Sequence, residues 1–94
     1  MDAQTDIEMP RYKCHKEVHA LKIDKLKPPV PKEQGGSGLW AIVPAEPEYA
    51  PFTVSDEYMQ KHEPKVGGYY VVYADGYKSF SPADAFEGGY TRID

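Results

Sequence analysis

Tyr69-Tyr70-Val71-Val72-Tyr73-Ala74, then Asp75-Gly76, then Tyr77-Lys78-Ser79-Phe80 is the stretch on which the fold turns. Aromatic and β-branched residues fill both arms, and such residues favour a pleated, half-buried surface. Asp-Gly between them is the preferred pair for a two-residue type I′ turn, whose two positions both need positive φ. The stretch therefore reads as a β-hairpin. That turn pairs Ala74 with Tyr77, Tyr73 with Lys78, Val72 with Ser79, and Val71 with Phe80. Side chains alternate across a strand. One face of the hairpin is then expected to carry Tyr69, Val71, Tyr73, Lys78 and Phe80. The other is expected to carry Tyr70, Val72, Ala74, Tyr77 and Ser79.

Short elements flank the hairpin. Ser55 is a good helix N-cap, followed by Asp56 and Glu57, which suit the positive end of a helix dipole. Val54 and Met59 stand at the positions of a hydrophobic staple. Pro64 stops this helix, because the residue before a proline avoids helical geometry. A second short helix is expected from Ser81 to Glu87. Ser81 would be its cap, Pro82 its first residue, Asp84 the return of the cap, and Gly88-Gly89 its stop. Tyr90-Thr91-Arg92-Ile93 reads as a last strand.

Upstream, Leu39-Trp40-Ala41-Ile42-Val43 is a compact apolar strand ended by Pro44. Residues 44–53 read as an irregular crossing. From Arg11 to Ile23 two readings compete. His19, Leu21 and Ile23 alternate with Ala20 and Lys22, as in a strand, whereas Cys14, Val18 and Leu21 have helical spacing. The strand is preferred. Residues 27–38 hold Pro28, Pro29 and Pro31, then Gly35-Gly36-Ser37-Gly38, and read as a mobile loop. Residues 1–9 read as a flexible tail. The expected fold is α+β: a small antiparallel β-sheet of four or five strands with two short helices, in one domain from residue 10 to 94.

Composition agrees with a single small domain. The chain has 94 residues, of which 40% are hydrophobic and 28% charged, a globular balance that argues against disorder. A chain of this size buries about 60–65% of its unfolded surface, which leaves little for a deep cavity. The single cysteine, Cys14, permits no internal disulfide. The opening Met1-Asp2-Ala3-Gln4-Thr5-Asp6 lacks the basic and apolar regions of a secretory leader. No apolar run is long enough to span a bilayer. A cytoplasmic protein with no membrane association is the expectation. The net charge of −4 is unevenly placed, with residues 11–32 basic and residues 33–94 acidic.

Motifs that would carry catalysis do not assemble. On a strand, His15 and His19 lie about 13 Å apart, too far to share one metal. Adjacent residues on a strand point to opposite faces, so His15 cannot activate Cys14. Gly67-Gly68 and Gly88-Gly89 lack the strand–loop–helix setting of a phosphate cradle. No cofactor and no enzymatic activity are expected. Direct nucleic-acid binding is disfavoured by the acidic C-terminal two thirds.

The tyrosines are the candidate contact residues. Eight of the twelve aromatics are tyrosine, whose flat apolar ring and hydroxyl suit half-exposed contact surfaces. Whichever hairpin face is outward would show a pair, Tyr69 with Tyr73 or Tyr70 with Tyr77. These four, with Trp40 on the Leu39–Val43 strand, form the candidate binding set.

Val66-Gly67-Gly68-Tyr69-Tyr70-Val71-Val72, Asp75-Gly76 and Phe86-Glu87-Gly88-Gly89-Tyr90-Thr91-Arg92-Ile93 together resemble small phage and prophage proteins. They are distantly similar to the group named for a PGDYG motif. Gly67 and Tyr69 match that motif, while Val66 and Gly68 replace its proline and aspartate. His15-Lys16-Glu17-Val18-His19-Ala20-Leu21-Lys22-Ile23 resembles the start of other uncharacterised phage proteins. The resemblance implies a phage-encoded protein in a bacterial cytoplasm or a virion, and it carries no activity. The expectation is a non-enzymatic accessory protein that binds and modulates a host or phage protein, with inhibition of a host defence system as one form. The alternatives are a virion or assembly component, and a small-ligand module for a nucleotide.

Overall fold

The structure is a computed structural model and describes residues 18–92. The expected tail at residues 1–9, and the readings placed on Cys14 and His15, lie outside the described residues. The fold is a small α+β fold, with five antiparallel strands in one curled sheet and two short helices. In chain order these are β1 (His19–Lys27), a 3₁₀ turn (Lys32–Gln34), β2 (Trp40–Pro44), β3 (Phe52–Val54), α1 (Asp56–His62), β4 (Tyr69–Val72), β5 (Lys78–Ser81) and α2 (Ala83–Gly89). The sheet order is β3-β2-β1-β4-β5.

β1 holds the sheet together because it serves two partners in succession. Its first half pairs with β4, from His19 opposite Val72 to Lys22 opposite Tyr69. Its second half pairs with β2, and the register shifts between Ile23 and Lys25. An irregularity of this kind bends a strand and strengthens its twist. It also re-aims the alternation, so that Ile23 and Leu26 both reach the core. Strand pairing thus wins at residues 19–23 over the helical spacing of Val18 and Leu21.

The core lies on one face of the curled sheet. Ile23, Ile42, Val54, Tyr58 and Tyr70 are buried together, and Leu26, Trp40, Phe52, Met59, Val72 and Phe80 pack around them. Burying an aliphatic side chain of this size contributes roughly 1.5–3 kcal/mol. α1 covers this face. Ser55 caps it as its sequence suggests, its hydroxyl oxygen accepting from the Tyr58 amide at 3.0 Å. Val54 and Met59 both join the core cluster, as the staple requires. The helix ends at Glu63, whose φ of 45° is left-handed, directly before Pro64. Tyr58 locks the helix to the sheet, its ring 5.5 Å from Tyr70 and its hydroxyl donating to the Ser79 carbonyl at 2.7 Å.

The opposite face is covered at the β1–β4–β5 end by α2. Tyr69 stacks on Phe86 at 4.3 Å, and Phe86 stacks on Tyr90 at 4.6 Å. Val71, which alternates with Tyr70, is 2% exposed. β4 is therefore buried on both faces, which accounts for its uninterrupted apolar run.

Three expectations need correction. The hairpin pairs Val72 with Lys78, Val71 with Ser79 and Tyr70 with Phe80, one residue away from the type I′ register. Only Gly76 takes positive φ, at 89°; Asp75 does not. Instead the Asp75 carboxylate accepts the Tyr77 amide at 2.9 Å, and the Gly76 amide donates to the Tyr73 carbonyl at 2.8 Å. An aspartate that closes its own turn competes with the two-residue loop, and a three-residue loop with a left-handed glycine results. Second, α2 begins after Pro82 with no side-chain cap. Ser81 cannot serve, because it is held in the sheet opposite Tyr69. The helix runs through Gly88 and Gly89, and Tyr90 follows in extended geometry. Third, residues 90–92 join no strand; the fifth strand is Phe52–Val54, within and just beyond the stretch read as irregular. Ile93 lies outside the described residues. The loop at 27–38 contains the 3₁₀ turn, closed at Gly35, whose φ is 86°.

Candidate functional site

The shifted register decides where the tyrosines go. In a two-residue turn Tyr73 and Tyr77 would lie on opposite faces. In the three-residue loop they stand across from each other, and the Tyr73 amide donates to the Tyr77 carbonyl at 2.9 Å. Their rings stack at the hairpin tip, with centroids 6.1 Å apart and an interplanar angle of 23°. They remain 37% and 44% exposed.

The last turn of α1 supports this pair. The His62 ring meets Tyr77 edge-on at 5.9 Å, and its Nε2 lies 3.5 Å from the Tyr77 hydroxyl. The Lys61 ammonium sits over the Tyr77 ring, 5.2 Å from its centroid. Such a cation–π contact contributes about 0.5–1 kcal/mol at an exposed site. His62 itself packs on Tyr58 at 4.9 Å. A path of ring contacts therefore runs from Phe52 and Tyr70 in the core, through Tyr58 and His62, to the exposed pair. Burial, and then the neighbouring Lys61 charge, hold the His62 pKa below its ordinary value. The imidazole is thus neutral at neutral pH and can accept at one nitrogen.

An open groove of about 560 Å³ continues from His62 along Lys65, Val66, Phe80 and Pro82. Val66 is 60% exposed there. Its floor depends on Gly68, since a Cβ at that position would collide with the Phe80 ring and crowd the Ser81 carbonyl. The groove opens to solvent rather than enclosing a volume, so it suits a surface contact better than a sequestered small molecule.

The other three candidate residues lie elsewhere. Tyr70 is part of the core. Trp40 packs half-buried against that core, opposite Val54. Tyr69 is held in the α2 contact, where its hydroxyl donates to Glu87 Oε2 at 2.8 Å. The Lys22 ammonium reaches the same oxygen at 2.9 Å and lies 5.2 Å from the Tyr69 centroid. These bonds from Lys22 and Tyr69 hold the Glu87 carboxyl below its ordinary pKa. The five residues thus divide into a tip pair, two core side chains and one helix clamp. Lys61, His62 and Val66 were not in the candidate set. His62 was legible in one respect: it stands four residues after Tyr58, so a helix places both on one side.

Chemically, the tip offers aromatic faces, a neutral imidazole and a cation. Those groups are of the kind that suits contact with a surface. Among the described residues no three His, Cys, Asp or Glu side chains gather as a metal site would require. None of their helices is long and apolar enough to cross a membrane. No family model, no curated protein and no solved structure matches this chain.

Proposed function

We propose that this chain is a non-enzymatic binding protein whose hairpin tip docks a protein partner. The carrying observation is the exposed, stacked Tyr73–Tyr77 pair, supported from beneath by His62 and Lys61. Tyrosines with fixed rings lose little entropy on contact, and residues of this type dominate protein interfaces. The core connection through Tyr58 pre-positions them, which lowers the cost of binding further. The C-terminal resemblance supplies the setting: a phage-encoded accessory factor that modulates a host or phage protein in the bacterial cytoplasm or the virion. Inhibition of a host defence system is one form this modulation takes.

The test compares the tagged chain with a Tyr73→Ala/Tyr77→Ala variant in capture from bacterial lysate, followed by size-exclusion chromatography of the purified pair. A soluble partner that forms a defined complex with the native chain and is lost with the variant supports the proposal, provided the variant melts at the native temperature. Equal capture by both proteins overturns the tip as the site. Recovery of virion proteins or of the chain itself moves the function to assembly.

A further inference from the structure

The loop between β1 and β2 takes no part in the tyrosine surface, and it presents a different kind of ligand. Proline fixes its own φ near −65° and pushes the residue before it to extended ψ. In Lys27-Pro28-Pro29-Val30-Pro31, three prolines therefore restrict every position. Pro31 has φ −58° and ψ 149°, which is polyproline II geometry. All four residues from Pro28 to Pro31 are exposed, Val30 by 48%. They belong to no strand. The carbonyls of Pro28 and Pro29 accept no bond from a described residue, and neither residue has an amide to donate.

The segment is also held in place. Its far end is pinned by Gln34 and Gly36 amides that donate to the Pro31 carbonyl at 2.9 and 3.0 Å, and by Gly38 donating to the Val30 carbonyl at 2.9 Å. Gly36 passes so close to Val30 that a Cβ there would collide with it. Its near end continues from β1, which is laddered to Ala41 at Lys27. A segment anchored at both ends and extended by its own prolines needs little ordering to bind.

A polyproline helix repeats every three residues, so Pro28 and Pro31 share one side. Lys27, directly before Pro28, and Lys32, directly after Pro31, are exposed at its two ends. Two prolines one turn apart with a cation at each end of the segment fit a groove of parallel aromatic rings bordered by acidic side chains. We propose that Pro28–Pro31 is a docking segment for a proline-reading protein domain of that chemistry, engaged independently of the hairpin tip.

The full chain, labelled with ¹⁵N, is titrated with a panel of purified proline-reading domains of the Src-homology and WW types, and its amide shifts are followed. Saturable shifts are expected at Val30, Lys32 and Gly36, with the Tyr73 and Tyr77 amides unmoved. Pro28→Ala/Pro31→Ala is expected to weaken the interaction about tenfold or more while the β-sheet amides keep their native shifts. Lys27→Glu/Lys32→Glu is expected to weaken it with the prolines intact, and Tyr73→Ala/Tyr77→Ala to leave it unchanged. Absence of saturable shifts across the panel overturns the proposal, as does equal affinity of the proline variant.

Discussion

Tyr58 shows what burial does to one ionisable side chain. Its phenol lies in the core, donates to the Ser79 carbonyl, and has a pKa pushed well above its ordinary 10.0 by burial and then by the neighbouring Tyr70. A raised pKa means that the fold favours the neutral phenol. The associated stability is fully present below about pH 10 and declines as pH rises through and beyond that value, by about 1.4 kcal/mol per unit. Urea midpoints measured between pH 8 and pH 11 should fall for the native chain. Tyr58→Phe, which cannot ionise, should fall less steeply and lose about 0.5–1.5 kcal/mol at neutral pH for the missing hydrogen bond. Parallel slopes would remove Tyr58 from the account. The adjacent His62 illustrates the opposite direction for a base, since burial there lowers the pKa.

At the scale of elements, the hairpin turn has the largest consequence. Gly76 at φ 89° is the one residue of the loop in left-handed geometry, and a β-branched side chain resists that region. Gly76→Val should cost about 1–3 kcal/mol. It should also separate the Tyr73 and Tyr77 rings, which near-ultraviolet circular dichroism reads directly. An unchanged melting curve and tyrosine spectrum would mean that the turn is not held as described. The helices show the same competition between local and non-local bonds. Ser55 is free to cap α1 and does so, whereas Ser81 has the credentials of a cap but is committed to the ladder opposite Tyr69. α2 therefore starts later and is secured by ring stacking on Tyr69 and by Glu87.

For the whole molecule, the tyrosines separate into roles that one pair of substitutions distinguishes. Tyr70 joins the core cluster and touches both Phe52 and Tyr58, so Tyr70→Ala should cost about 3–5 kcal/mol in chemical denaturation. Tyr73→Ala should change stability by about 0.5 kcal/mol or less. Similar losses at the two positions would contradict the described burial. Much of this architecture was legible in the chain. Alternation at His19–Ile23, the apolar run ended by Pro44, the cap and staple around Ser55, and the tyrosine-rich hairpin each act over a few residues, where backbone preference and periodicity suffice. Those signals determined an α+β fold with a small antiparallel sheet and two short helices. They also singled out the tyrosines as its candidate contact residues. What they could not determine was which alternative a segment would choose when two were locally acceptable. Asp75-Gly76 is compatible with two turn lengths, and sheet pairing together with the Asp75 side chain selected the longer, which placed Tyr73 beside Tyr77. Phe52–Val54 is too short to signal a strand and became one because β2 offered it a free edge. Residues 90–92 had the composition of a strand, but the Phe86–Tyr90 stack and the Arg92–Glu46 ion pair directed them elsewhere. Local chemistry sets the choices open to each segment, and long-range pairing, whose free energy depends on contacts far apart in sequence, selects among them.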